Sequence, residues 1–310
     1  MIKLYAKAAI YKPNNKSQHS ATDAHSALPI MPTTVLNKTV HISSSHCNKY
    51  NKLTHWQHNL AALIHPNYVQ TLSLPLQLSM MVMQPFPFKP MGLVHVANAI
   101  NIHRLPEQTA TLHISTSFGK VYYHRRGWLF EVITQASQDE KVVNNKGFCI
   151  EATSYYLART RHNNATQEFY KTNTQTMPSW LDSASSEWVS GSDTIAQLDF
   201  SDDIGRRYAK VSGDYNPIHL YPYTAKLLGF KKAIAHGMYS KAWAVSNLAQ
   251  QHSFASQPTL ITTTFMQPIS LPLSTQLSVS KSANEIDFSL HSQHRGKARV
   301  HLVGNIHIPT

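Results

Sequence analysis

The segment Arg207–His219, RYAKVSGDYNPIH, holds an aspartate and a histidine whose spacing suits acid–base chemistry. Pro217 prevents one continuous helix from running through both residues. Asn216-Pro217 is instead a favourable N-cap followed by proline at the first helical position, so Asp214 falls on a turn and His219 in the first helical turn. A histidine there tends to stay neutral, because the helix dipole disfavours the imidazolium. A carboxylate beside a neutral imidazole can hold and deprotonate one water molecule.

These residues also have purely structural interpretations. Asp214 can cap a turn and His219 can be a buried polar residue, and this segment alone does not separate those roles from chemistry. Ser212 is a further candidate nucleophile, but no base-and-orienter arrangement accompanies it. A structural role in the turn is therefore favoured for Ser212.

A second segment, Gly229–Ala244, reads GFKKAIAHGMYSKAWA and predicts a helix that begins at His236-Gly237. An open backbone N–H at Gly237, at the start of that helix, is suited to bind a developing oxyanion. The apolar stripe of this helix has helical spacing and mostly small side chains, as a helix closely wrapped by a sheet requires; its members are Met238, Ala242, Val245 and Ala249.

Together the two segments resemble the MaoC-like, or hydratase 2, family of (R)-specific enoyl-CoA hydratases and acyl dehydratases. The stretch Phe265–Pro272, FMQPISLP, is similar to the family's strand after the helix, and the resemblance covers about residues 193–310. The residues that carry it are Tyr208, Ser212, Gly213, Asp214, Asn216, Pro217, Ile218 and His219, then Gly229, Phe230, Ile234, Ala235, His236, Gly237 and Met238.

The resemblance implies a hot-dog fold, in which an antiparallel sheet wraps a long central helix, and a thioester substrate on CoA or acyl carrier protein. By position it makes Asp214 and His219 the catalytic dyad and the N–H of Gly237 the oxyanion donor. We also expect substrate contacts from a second set of residues, in which the two lysines are candidates for the phosphates of CoA; these are Asn216, His236, Met238, Lys231 and Lys232.

The strand patterns then define the elements that position these residues. Period-two and apolar runs predict strands at Leu93–Ile102, Thr109–Ser117, Trp128–Thr134 and Phe148–Leu157, with Gly119 among the turn residues. After a polar stretch the pattern restarts, and strands are predicted at Thr194–Phe200, Thr259–Met266, Gln276–Lys281, Glu285–His291 and Ala298–Ile308.

This restart predicts two similar α+β units, and together with the resemblance it implies an α+β double hot-dog, with a central helix wrapped by antiparallel sheet in each half. We expect a partly disordered N-terminal segment at 1–60, a degenerate hot-dog domain at 61–160, a linker at 161–192 and a catalytic MaoC-like domain at 193–310. The first half is expected to lack the dyad, because no Asp in it is followed by a His five residues later.

Some segments have an ambiguous pattern. Trp56–Ile64 suggests two helical turns, and the apolar stretch Tyr68–Met83 contains Pro75, so its type stays open. Lys241 interrupts the apolar central helix, and we expect it to face the rim. Val245 stands where related hydratases can carry a small polar residue.

Composition limits the partners. The chain has 310 residues and a net charge of +12, from 28 Lys and Arg against 16 Asp and Glu, which favours anionic partners. No run of Lys and Arg and no basic helix face appears, so nucleic acid is disfavoured. Two cysteines cannot build a disulfide framework, so a cytoplasmic location is expected, and no apolar stretch is long enough to cross a bilayer.

The nineteen histidines raise the question of a metal. They form no C-x-x-C or H-E-x-x-H pattern, so we predict neither a metal site nor a cofactor. The predicted function is hydration of 2-enoyl thioesters or dehydration of (R)-3-hydroxyacyl thioesters, by a monomeric pseudo-dimer or a homodimer. Two alternatives stay open at this point: a hot-dog acyl-thioesterase and a non-catalytic acyl-thioester binding module.

Overall fold

A computed structural model describes residues 1–13, 29–56, 62–139, 147–160, 176–182, 193–252 and 257–309. The strands are β1 (Leu36–His41), β2 (Leu93–Ile102), β3 (Thr111–His124), β4 (Gly127–Ser137), β5 (Phe148–Arg159), β6 (Asp193–Phe200), β7 (Thr259–Phe265), β8 (Leu273–Lys281), β9 (Glu285–His294) and β10 (Lys297–His307). The α-helices are α1 (Ile2–Ile10), α2 (Ser44–Thr54), α3 (Tyr68–Met81), α4 (Ser179–Asp182), α5 (Ile204–Ser212), α6 (Pro222–Leu227) and α7 (Gly237–Gln251), and short 3-10 helices lie at Pro90–Gly92 and Pro217–His219.

One antiparallel sheet runs through the whole molecule in the order β1-β3-β4-β5-β2-β7-β10-β9-β8-β6. Read from its outer edge inward, the second half has the order β6-β8-β9-β10-β7, which repeats the β1-β3-β4-β5-β2 order of the first half. The halves join where β2 pairs with β7, from Ala97 opposite Thr264 to Ile102 opposite Thr259. The repeated α+β unit predicted from the restarting strand pattern is therefore present in the topology.

Each half has one long helix against its sheet. In the second half, the stripe predicted for α7 is buried: Met238 and Ala249 are each 8% exposed, and Ala242 and Val245 are fully covered. In the first half, α3 packs against β1, β3, β4 and β5. A single cluster of buried apolar side chains extends through both halves, and its burial stabilises the wrapped arrangement.

The structure of α3 explains why the sequence pattern of this segment did not indicate its type. It is helical through Pro75, and it buries polar side chains that a purely apolar core would exclude. Gln77 Nε2 donates to Ser73 Oγ at 2.9 Å and to Gln70 Oε1 at 3.2 Å, and Ser154 Oγ of β5 donates to that same Gln70 oxygen at 3.3 Å. Mutual hydrogen bonding lowers the cost of burying these groups.

The first half begins before residue 61, which corrects the predicted boundary. Strand β1 pairs with β3, with Leu36 opposite Thr116, and α2 packs against α5 and α7. The signal for β1 was weak because, as an edge strand, it buries little of either face. Residues 14–28 of the predicted disordered segment lie outside the described residues.

Three smaller predictions also need comment. Gly119 is not in a turn but within β3, at the irregularity in register between Phe118 and Val121. The Trp56–Ile64 segment is not helical where it is described; 57–61 lie outside. Of the predicted linker, only 176–182 are described, and there the Trp180 ring packs edge-on against Tyr155 of β5 with centroids 5.6 Å apart. Among the described helices, none combines the length and apolarity needed to cross a membrane.

Lys241 does not face the rim as predicted but is completely buried. Its Nζ donates to Asn98 Oδ1 at 2.5 Å and to the Asn98 carbonyl oxygen at 3.2 Å, which joins α7 to strand β2 of the other half. Burial lowers the pKa of Lys241 well below its ordinary value, because the charged ammonium is penalised away from water. A nearby acceptor on β2 is what makes the buried position possible.

We expect Lys241→Met to remove a pH dependence of stability. The unfolded chain binds a proton at Lys241 that the folded chain releases, so folded stability rises with pH until the ordinary lysine pKa is reached. Both proteins are unfolded in urea at each pH. The free energy of unfolding of the wild type minus that of Lys241→Met should therefore increase by up to about 1.4 kcal/mol per pH unit between pH 7 and 9. The unpaired Asn98 oxygen of the variant adds only a pH-independent cost.

The exposed Lys210 of α5 provides the control, since Lys210→Met removes the same charge from a solvated position. Its unfolding free energy should run parallel to that of the wild type over the same range. Parallel behaviour of Lys241→Met as well would show that Lys241 stays charged in the folded protein, contrary to this interpretation.

Candidate active site

The turn that carries Asp214 is built by local sequence. Gly213 caps the C-terminus of helix α5; it has a φ of 74° and donates its N–H to Ala209 O at 2.9 Å. Glycine is favoured there because a side chain strains the left-handed conformation. Three residues on, Asn216 Oδ1 accepts the Ile218 N–H at 3.3 Å and caps the short helix that ends at His219. The predicted N-cap and the placement of Asp214 on the turn are confirmed.

Three titratable side chains meet at this turn: Asp214, His219 and His236. One side-chain nitrogen or oxygen of each lies within 4.8 Å of the others. His219 and His236 are buried, whereas the Asp214 side chain is 30% exposed. The two imidazole rings stack with centroids 3.7 Å apart and planes inclined by 27°. The carboxylate is therefore the solvent-accessible member of a closely packed cluster.

Carbonyl groups fix the protons on both imidazoles. His219 Nδ1 lies 2.8 Å from Ile234 O, and His236 Nε2 lies 3.0 Å from the backbone oxygen of Asp214. Because a carbonyl only accepts, these two nitrogens carry the protons. In the neutral ring this leaves Nε2 of His219 with a free lone pair.

Burial keeps both histidines neutral. It lowers the pKa of His236 to about 3, helped by the neighbouring His219 and opposed by Asp214. It also lowers the pKa of His219, again against the opposing charge of Asp214. Neutral imidazoles in this position can accept a proton or a hydrogen bond from water at neutral pH.

Asp214 is ionised at neutral pH. Burial alone raises its pKa, but the electrostatic interaction with His236 and His219, together with hydrogen bonds to the carboxylate, brings the pKa below the ordinary value. Asp214 Oδ1 accepts from the Tyr5 hydroxyl at 2.5 Å and from the Asn216 N–H at 3.1 Å. Since the imidazoles are neutral at pH 7, these two donors are the constant support of the carboxylate. The other oxygen, Oδ2, lies 3.9 Å from His236 Nε2.

The three side chains are also of metal-ligating types. Ring nitrogen lone pairs lie in the plane of each imidazole, and the two stacked planes are only 27° from parallel. Such planes do not direct two nitrogens at one ion, and a further nitrogen of each ring already donates to a carbonyl. The arrangement favours proton chemistry over metal binding, and the absence of a metal site stays a prediction.

Gly237 is the first residue of α7, so its N–H belongs to the first turn of the helix, where amides lack intrahelical acceptors. A Cβ built on Gly237 would lie 2.9 Å from two ring carbons of Phe265. Only glycine therefore lets the helix begin against this ring. This need for glycine at the start of α7 supports the assignment of Gly237 as an oxyanion donor, which stays a prediction.

The other predicted contact residues differ in their placement. Asn216 uses its side-chain oxygen as the helix cap described above, and Met238 is buried in the apolar core. His236 Nε2 donates to the backbone oxygen of Asp214 and lies 3.9 Å from the carboxylate oxygen Oδ2. Lys231 and Lys232 are exposed on the turn before α7, as a role at the surface requires. Contacts of all five with substrate stay predictions.

The first half contributes aromatic side chains that lie near this site. His95 of β2 stacks on Tyr156 of β5, with centroids 4.7 Å apart, and meets the edge of Phe265 at 5.2 Å. Phe265 is the residue against which Gly237 packs. The charge of Asp214 raises the pKa of Tyr156 in addition to the larger effect of burial. Tyr156 therefore lies close enough to Asp214 to interact with it electrostatically. Sequence reasoning missed these residues because they come from distant strands.

Gly205 was also missed. A Cβ built on this residue of α5 would lie 1.9 Å from the carbonyl oxygen of His219, closer than any real contact. The absent side chain is what lets α5 pack directly against the backbone of His219. A glycine inside a helix, where it is unfavourable relative to alanine, is the signal that could have drawn attention to it.

We expect Gly205→Ala to displace His219 and lower both stability and activity. Alanine normally favours a helix by about 1 kcal/mol over glycine, but here overpacking should reduce the free energy of unfolding by roughly 1–3 kcal/mol. A backbone shift of about 1 Å at His219 should reduce kcat roughly 10²-fold. Gly92→Ala is the control, because a Cβ there has no heavy atom within 4 Å. Unchanged kcat in Gly205→Ala would contradict the proposed fit.

Solved structures of other proteins share this fold. The crystal structure of HtdX from Mycobacterium tuberculosis superposes with a TM-score of 0.69 at 23% identity, covering 89% of this chain and 100% of that one. A MaoC-like dehydratase from Phytophthora capsici superposes with a TM-score of 0.69 at 19% identity, covering 91% and 97%. These neighbours confirm the predicted α+β double hot-dog fold.

The sequence comparisons are more specific. Residues 190–300 match the MaoC like domain family, which is the family that the two motif segments resemble. A protein of M. tuberculosis named 3-hydroxyacyl-thioester dehydratase X is 28% identical over 281 residues, which are 88% of this chain and 91% of that protein.

Proposed function

We propose that this chain is a hydro-lyase that hydrates 2-enoyl thioesters, or in reverse dehydrates (R)-3-hydroxyacyl thioesters, at the cluster of Asp214 and His219. The observation that carries the proposal is the pairing of an ionised, partly exposed carboxylate with a neutral, buried imidazole whose Nε2 is free. The MaoC-like match and the relative named as a 3-hydroxyacyl-thioester dehydratase support it.

The pair suits a single water molecule. Asp214 Oδ2 accepts one proton of the water, and the Nε2 lone pair of His219 accepts a hydrogen bond from the other. Water oxygen then bonds to C3 of the enoyl group as its O–H bond breaks toward Asp214, which acts as general base. The proton held by the pair is delivered to C2, so that the net reaction adds H and OH across the double bond. Dehydration is the same path in reverse.

Negative charge develops on the thioester oxygen during this addition. An amide at the start of a helix is suited to stabilise it, because its N–H has no intrahelical acceptor and the helix dipole is positive there. Gly237 supplies that amide in the proposed mechanism. Removal of comparable oxyanion donors costs about 3–4 kcal/mol in other enzymes.

The remaining assignments belong to the same proposal. The acyl group is carried by CoA or acyl carrier protein, whose phosphates the exposed Lys231 and Lys232 are suited to meet. Asn216, His236 and Met238 shape the pocket around the reacting atoms. No resident cofactor takes part, and we propose action in the cytoplasm, with the two halves of one chain serving as the pseudo-dimer.

A direct assay tests this function. The full-length protein is mixed with 2-enoyl-CoA substrates of several chain lengths and with the same acyl groups on acyl carrier protein. We expect the absorbance of the conjugated enoyl thioester to fall while a thiol reagent detects no free thiol, and chiral analysis to give the (R) product. Release of thiol would support a thioesterase instead, and tight binding without turnover a binding module.

A further inference from the structure

The N-terminal helix α1 reaches from the first half of the molecule to the turn at Asp214. Just after the helix, the Tyr11 hydroxyl donates to Phe86 O at 2.7 Å, and Gln84 Nε2 donates to Lys12 O at 3.0 Å. Along its length α1 packs against α3 and the Pro90–Gly92 turn. At its other end the Met1 side chain covers Gly213, where a Cβ would lie 3.2 Å from Met1 Cγ. Both ends of the helix are therefore held in place.

Tyr5 makes the contact with the candidate base. Its hydroxyl donates to Asp214 Oδ1 at 2.5 Å across 209 positions of sequence. Burial, followed by the charge of Asp214, raises the pKa of Tyr5 far above its ordinary value, so the hydroxyl stays protonated. A permanently protonated phenol facing an ionised carboxylate is a donor at every working pH.

This donor leaves the two carboxylate oxygens in different states. Oδ1 accepts from both Tyr5 and the Asn216 amide, whereas Oδ2 lies on the side of His236. Two donors on one oxygen prevent the carboxylate from rotating and reserve the other oxygen for a proton. We propose that Tyr5 is a positioning residue of this active site, which holds Asp214 so that Oδ2 faces the reacting water. This inference rests on the proposed function.

A pH profile distinguishes positioning from simple packing. Without the Tyr5 hydroxyl the carboxylate loses a stabilising donor, so the pKa of Asp214 rises and activity is lost at a higher pH on acidification. Other groups that face Asp214 are unchanged by this substitution; they are Tyr208 of α5, His219, His236 at the start of α7, His95 of β2 and Tyr156 of β5.

The experiment compares Tyr5→Phe with Tyr11→Phe in the full-length protein. Both remove one phenolic hydroxyl from the same N-terminal segment, but only Tyr5 contacts the carboxylate. For Tyr5→Phe we expect kcat to fall about ten- to hundredfold, the factor for one hydrogen bond to a charged group. KM should change little, and the acidic limb of the kcat profile should move to higher pH. Tyr11→Phe should keep the wild-type limb.

A second measurement does not depend on turnover. Titration of 13C-labelled aspartate carboxyls by NMR, with Asp214→Asn used to assign the resonance, gives the pKa of Asp214 in each protein. A rise in Tyr5→Phe alone supports positioning even if no hydratase activity is found, in which case the proposed function fails and the role of Tyr5 stands. An unchanged Asp214 pKa, or a Tyr5→Phe variant as fast as or faster than the wild type, would overturn the inference.

Discussion

Asp214→Asn should reduce hydratase kcat by roughly 10²–10⁴-fold, the usual contribution of a general base. Asparagine keeps an oxygen that can accept from Tyr5 and from the Asn216 amide, so the turn retains its hydrogen bonds. It cannot take a proton from water, so only chemistry is lost. The denaturant midpoint should change little, because the side chain is 30% exposed and makes no part of the apolar core.

Asp193→Asn is the matched control for that experiment. Asp193 is exposed at the start of β6, and its substitution makes the same change of charge and shape. Its kcat should equal that of the wild type. If Asp214→Asn retained wild-type activity, the proposed mechanism would be wrong, and the MaoC-like match would then support only fold and thioester binding.

The fold was predictable where burial has a simple period. Strand β2 was predicted with the bounds it has, Leu93–Ile102, because its sequence repeats apolar residues at period two, at Val94, Val96, Ile100 and Ile102. Edge strand β1 was missed, since its polar residues carry little pattern. Helix α3 stayed ambiguous because Pro75 disfavours a helix and its buried glutamines hide the apolar face. Tertiary hydrogen bonds decide such cases, and they are invisible in local sequence.

The residues of the site also fall into those that local sequence predicts and those that it does not. Asp214 and His219 lie within one turn whose caps, Gly213 and Asn216, are coded locally, so their convergence could be predicted. Tyr5 lies 209 positions from the carboxylate it contacts, and no local pattern brings it there.

Lys241 shows the opposite error, in which a local rule gave the wrong answer. A lysine in an apolar stripe predicts the rim, because burying its charge is costly. Asn98, on a strand of the other half, supplies two acceptors to its Nζ instead. Pairing between halves sets this environment, and the sequence of α7 carries no trace of it.

His219 should prove as important as Asp214, but the substitution must respect its buried position. Its Nδ1 donates to Ile234 O and its ring stacks on His236, so His219→Ala would leave a buried carbonyl without its donor and cost about 1–3 kcal/mol of stability. His219→Gln keeps an amide donor. We therefore expect His219→Gln to lose roughly 10²–10⁴-fold in kcat with less destabilisation than His219→Ala.

The double variant Asp214→Asn/His219→Gln tests whether both residues act on one water. If they do, removing the second after the first has little left to remove, and kcat should fall only slightly below that of the slower single variant. Independent roles would instead multiply the two factors. Measuring kcat and the denaturant midpoint for the wild type, both singles and the double on one substrate closes the cycle. Multiplicative losses would assign His219 to a separate step, such as holding the substrate, and would remove it from the proposed water-binding pair.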